Sequence, residues 1–154
     1  MGALVASGCA FDGPDVLDFN STSISSLDGG GTQFGATIDG VMWFWNVAWT
    51  DVKDTPDWVP GDEPPISIAK AIQVAQAEMT TYTETPAAYR LDRVEWSPIT
   101  ECCNPNHARK WVYVVHFERM ERFESGARGT MLIPVLLDGR AITGVKETTP
   151  RNAR

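Results

Sequence analysis

The most singular chemistry in this chain is packed into seven residues, Glu101-Cys102-Cys103-Asn104-Pro105-Asn106-His107. Two adjacent sulfurs, a tight Asn-Pro-Asn turn and an imidazole are the donor types that soft cations such as Zn²⁺ or Cu⁺ take. Cys102, Cys103 and His107 are therefore the candidate metal ligands. Their spacing argues the other way, because structural zinc sites separate their cysteines by about two to four residues. Neighbouring side chains of an extended chain also point apart. His116 completes a set only if its face of the strand lies under this loop. In an oxidising compartment the same thiols would form a strained vicinal bond or a disulfide to another chain. The plainest reading is two thiols in a turn.

Other reactive constellations are weaker. The chain has no Gly-x-Ser-x-Gly elbow, and neither of its two histidines carries a catalytic motif around it. Gly29-Gly30-Gly31 lacks the Lys and helix that a phosphate loop needs. Glu95 and Glu118 could face each other across adjacent strands as paired carboxylates, although charged strand residues more often face solvent. A small enzyme is thus the third reading. Asp51, Asp54, Asp57, Asp62 and Glu63 crowd one Pro-rich loop without the spacing of a Ca²⁺-binding loop, which reads as a solvated acidic loop. Trp43, Trp45, Trp49 and Trp58 are the candidate binding surface. Each offers a large apolar face and one donor to a sugar ring or a protein partner, and the rival reading is that they are core.

These residues need elements to hold them. The stretch Lys110–Phe117 is aromatic, β-branched or His at seven of eight positions, and both of its faces are largely apolar. It reads as a central strand covered on both sides. Gln33–Ile38, Asp39-Gly40 and Val41–Thr50 predict a hairpin, since Asp-Gly supplies the positive φ its turn requires. Ser67 is an N-cap for a helix over Ile68–Tyr82, whose apolar stripe runs Ile68, Ile72, Ala75, Met79, Tyr82. Ala88–Trp96 is a strand whose apolar parity switches between Leu91 and Val94, which predicts a bulge near Asp92–Arg93; Pro98 closes it. Thr130–Leu137 follows, with Pro134 placing it at an edge or a bulge. Asp138-Gly139 turns the chain and Arg140–Lys146 pairs back.

Charge and cysteine usage bound the function. Of the net charge of −7, residues 1–86 hold two basic and twelve acidic side chains, against eleven and eight in residues 87–154. Such an acidic chain without a basic run is a poor partner for nucleic acid, where phosphate neutralisation supplies most of the affinity. Leu4-Val5-Ala6-Ser7-Gly8-Cys9 resembles the end of a bacterial lipoprotein signal, which makes Cys9 the candidate lipidation site and membrane anchor. The positive n-region and the long apolar run of such signals are missing. The address expected is the cell envelope or periplasm, and otherwise the cytoplasm. Residues 1–31 read as a flexible tether, 32–147 as the folded domain and 148–154 as a frayed tail.

Strand, helix and four meandering strands, with the phrases Tyr89–Trp96, Trp111–Val115 and Pro134–Gly139, resemble the cystatin-like arrangement and the smaller PepSY-type domains. The resemblance implies an antiparallel sheet cradling one helix. The Gln-x-Val-x-Gly hairpin by which cystatins plug a protease is absent, so inhibition is not implied. Members of the PepSY-type group are usually exported and non-catalytic. The expectation is therefore an α+β domain, one helix on a four- to five-stranded antiparallel meander sheet. Its expected role is a non-catalytic interaction or ligand-binding module of an exported bacterial protein, with a protein partner or as a homodimer. The runner-up is metal or thiol handling, with Zn or Cu, at Cys102, Cys103 and His107. The second apolar face of the sheet must be covered, most simply by the Trp-rich segment of the same chain.

Overall fold

The computed structural model describes residues 23–101, 109–122 and 129–148. Cys9, Cys102, Cys103 and His107 lie outside them, as do residues 149–154. In chain order the elements are β1 (Ser23–Ser26), β2 (Gly31–Ile38), β3 (Val41–Ala48), a single helical turn α1 (Trp49–Val52) and the long helix α2 (Ile68–Tyr82). A 3-10 turn (Pro86–Ala88) leads into β4 (Tyr89–Thr100), β5 (Arg109–Arg119), β6 (Thr130–Leu136) and the two-residue β7 (Val145–Lys146).

The α+β class with antiparallel strands holds, but the single sheet does not. The strands divide into a four-stranded sheet of order β1-β2-β3-β7 and a three-stranded meander of order β4-β5-β6. The physical reason lies in β5 and β6. Val112, Val114, Leu132 and Leu136 are buried on one face, and Tyr113, Val115, Phe117, Ile133 and Val135 on the other. A lone helix cannot cover both faces of such a sheet, whereas a second sheet can. β2 lies against β6 and β4, and α2 against β5 and β6.

The connector after Asp138-Gly139 joins the two sheets. Ala141 bridges to Val135 of β6, then Val145 and Lys146 pair with Phe44 and Trp43 of β3. Arg140–Lys146 therefore pairs back only at its start, then changes sheet. At the change, Gly144 donates its backbone N–H to the Tyr82 hydroxyl at 2.8 Å. A Cβ at Gly144 would meet the Trp45 ring at 2.8 Å and Tyr82 at 2.9 Å.

Local structure follows the residues closely in several places. Asp39 and Gly40 take φ of 49° and 81° between β2 and β3, as the hairpin requires. Ser67 accepts a hydrogen bond from the Lys70 N–H at the start of α2. The buried stripe is Ala71, Ala75, Met79 and Tyr82, while Ile68 is half-exposed. Small alanines bring the helix close to its support, and the first turn overhangs it. The β4–β5 register shifts between Leu91 and Arg93, the predicted bulge. Three expectations need correcting. β4 does not stop at Pro98 but runs to Thr100, because an edge strand can spare the missing N–H. β3 ends at Ala48, since the Asp51 carboxylate accepts from the Ala48 N–H at 2.9 Å and starts a helical turn. The tether does not reach Gly31, because Ser23–Ser26 pairs with Gly35–Thr32 of β2.

Candidate ligand cavity

A cavity of about 180 Å³ lies where β1 and β2 face the β4-β5-β6 sheet. Ile24 and Phe34 line it from the first sheet; Trp96, Val114, Leu132 and the polar group Arg93, Glu95, Ser97 and His116 line it from the second. The bulge decides this set. Downstream of it Arg93 is opposite His116, Glu95 opposite Val114 and Ser97 opposite Val112. In an antiparallel pair, opposed residues share a face, so Arg93, Glu95 and Ser97 join His116 on the side toward β2. Without the extra residue, the next positions along β4 would turn the other way.

His116 is 3% exposed, in the middle of the core. Its Nε2 is 3.0 Å from Glu95 Oε2. Arg93 Nε donates to the other carboxylate oxygen, Oε1, at 2.7 Å, and Arg93 Nη1 to Asp92 at 2.6 Å. The Arg93 hydrogen bond is the main reason the Glu95 carboxyl sits below its usual range, with the charge of His116 adding to it. Burial, then the Arg93 charge, pushes His116 below its ordinary 6.5, against an upward pull from Glu95. At neutral pH the pair is thus an ionised carboxylate and a neutral imidazole. An ionised carboxylate only accepts, so Nε2 carries the proton and Nδ1 is a bare lone pair. Among the described residues, His116 Nδ1 and Trp43 Nε1 are the buried polar side-chain atoms with no hydrogen-bond partner.

This geometry disposes of the other arrangements. Glu95 and Glu118 are not paired: Glu118 stands opposite Arg90 and accepts from its Nη2 at 3.1 Å. Ser97, His116 and Glu95 form no Ser–His–Glu relay, since that needs the imidazole between hydroxyl and carboxylate. Here Glu95 lies between Ser97 and His116 along the shared face. His116 lies seven strand residues, roughly 23 Å, from Arg109 at the start of β5, and the cysteine loop before Arg109 is outside the described residues. Among the described residues no group of three potential ligands gathers for a metal ion.

The four tryptophans fall into two groups. Trp45 is fully buried, and its Nε1 donates to the Tyr82 hydroxyl at 3.2 Å. Trp43, partly buried, meets Tyr82 edge-on at 5.0 Å. Trp49 packs partly buried against the core from α1. Trp58 instead stacks on Trp96 at 3.9 Å and meets Trp111 edge-on at 5.7 Å, while Trp96 rests on Tyr113. That stack ties the acidic loop to the sheet, with Lys110 Nζ donating to Thr55 O at 2.7 Å and Asp57 at 2.6 Å. The loop is therefore anchored, not simply solvated.

Sequence reasoning named His116 and Glu95 separately and missed their pairing. The signal was present in the bulge, but the register downstream of it hangs on the loop between β4 and β5, which has no two-residue turn to fix it. Comparison with family models, with curated proteins and with solved structures finds no match to this chain.

Proposed function

We propose that this protein is a non-catalytic ligand-binding module of an exported bacterial protein, and that the cavity between its two sheets is the binding site. The observation that carries the reading is a cavity whose lining sets five apolar side chains, Ile24, Phe34, Trp96, Val114 and Leu132, beside the polar group Arg93, Glu95, Ser97 and His116. Ligand sites are typically concave and mostly apolar, with a few placed polar groups that fix orientation. The volume bounds the ligand: a dry cavity of about 150 Å³ accommodates benzene, so about 180 Å³ suits one small ring or a short branched chain. Ile24 lines the cavity and is also 68% exposed, which puts it at the mouth. The exported address rests separately on the lipoprotein-like segment ending at Cys9.

The reading is tested by titrating isotope-labelled protein with mixtures of small neutral fragments and following methyl and amide resonances. Shifts should gather at Ile24, Phe34, Val114, Leu132 and His116. Shifts confined to the Trp58–Trp96 stack, or none with any fragment, would overturn it.

A further inference from the structure

The inner lining of the cavity is core, with Phe34, Val114 and Leu132 all buried. Its exposed lining residues are Ile24 of β1 and Arg93 and Glu95 of β4. β1 and β4 are end strands of their sheets, and no ladder joins one to the other. The mouth therefore lies between two free edges, and they are held very differently. β4 pairs with β5 along its length. β1 has four residues, pairs with β2 alone, and leaves Ile24, Ser25 and Ser26 exposed. Ile24 stands opposite Phe34 on the cavity face, yet it is 68% exposed, so little apolar burial holds the strand down.

The turn from β1 into β2 has a fixed end and a free end. Gly30 O accepts from the Trp49 N–H at 3.2 Å, and a Cβ at Gly31 would collide with Val47 O, so this end is packed against β3 and α1. Gly29 differs: its φ is 85°, and a Cβ there would meet nothing. Two backbone bonds close the turn, from Gly30 N–H to Leu27 O and from Leu27 N–H to Gly31 O. Both are 3.2 Å, the long end of the usual range. We propose that β1 is a strap across the cavity mouth, hinged at Asp28-Gly29, and that a small ligand enters when the strap peels away from β2. Local opening is cheapest where few apolar contacts and solvent-exposed backbone bonds hold a segment. A ligand body that touches Ile24 binds the closed form better, so binding shuts the strap. The entry role rests on the cavity being a ligand site; the peeling of β1 does not.

Amide hydrogen exchange of the whole chain, read residue by residue, tests the strap. Amides shared between β1 and β2 should lose protection at least about tenfold faster than those shared between β2 and β3. Gly29→Ala has room for its methyl group but disfavours the positive φ of the closed turn. It should speed β1 exchange by about a further tenfold and leave β2–β3 exchange unchanged. The ligand probe is benzene, which a cavity of about this size holds. Benzene should slow β1 exchange in the wild type. Its uptake, followed on the methyl resonances of Ile24, Val114 and Leu132, should be faster in Gly29→Ala. β1 amides exchanging no faster than those of β2–β3 would overturn the strap, whether or not benzene binds. Uptake unmoved in Gly29→Ala while β1 exchange rises would overturn the entry route and leave the cavity a ligand site. Benzene shifting nothing at the cavity would overturn the entry role together with the ligand reading, even with β1 opening.

Discussion

At the scale of the residue, His116 exposes the tension on which this site is built. An imidazole 3% exposed has lost most of its water, and the Glu95 carboxylate replaces only part of it. Its pKa is held down by burial first and Arg93 second. Between the ordinary 6.5 and the lowered folded value, the unfolded chain takes up a proton that the folded chain refuses. Stability from this group is therefore complete above 6.5 and is lost as pH falls through that window. Urea denaturation at a series of pH values should show this decline, with a shallower one in His116→Phe. Glu95 pulls the other way on the same ring. Glu95→Gln removes an upward pull, so the His116 midpoint, read from its ring proton resonances, should move lower still. A midpoint that rises in Glu95→Gln would contradict the pairing.

At the scale of the element, the β2–β3 turn is more than a reversal of chain direction. Asp39 Oδ2 accepts from Thr83 Oγ1 at 2.6 Å, and Oδ1 from Arg119 Nη1 at 2.6 Å and the Tyr89 hydroxyl at 3.2 Å. One carboxylate thus joins the hairpin tip to the end of α2 and to the open end of the β4–β5 pair. Burial and the Asp39 charge together push the Tyr89 hydroxyl up to about 12. Asp39→Asn tolerates the positive φ, so it isolates the charge. It should cost about 1–3 kcal/mol in denaturant unfolding and bring the Tyr89 titration down. The sequence revealed the turn but not this hub. Asp-Gly between two apolar runs specifies a reversal locally, whereas Thr83 and Tyr89 come from one distant segment and Arg119 from another. The same distinction runs through the fold. The helix ends, the Ser67 cap and the bulge at Asp92 depend on a few neighbouring residues and were legible. The persistence of β4 through Pro98 was not, because it depends on that strand lying at an edge.

At the scale of the whole molecule, the two-faced burial of β5 and β6 forces the architecture. Legible in the sequence was that a second apolar face needed a cover; the division of the strands into two sheets was not. That division turns on the connector around Gly144, where the backbone passes close to Trp45 and Tyr82. Gly144→Ala should therefore overpack this junction and cost about 1–3 kcal/mol, measured as a lower urea midpoint. A neutral effect would mean that the rings have room to move aside.

The cavity is a product of this closure, since Ile24 and Phe34 reach His116 only when the first sheet lies over the second. Its chemistry is central to the account: a neutral imidazole that lines the cavity, bonded to Glu95 through Nε2, with a buried Nδ1 that has no hydrogen-bond partner. The side-chain nitrogen spectrum of His116 at pH 7 tests this most directly. The account predicts a protonated Nε2 and an unprotonated Nδ1 with the shift of a free lone pair. A protonated Nδ1, in either the other neutral tautomer or the charged ring, would contradict it.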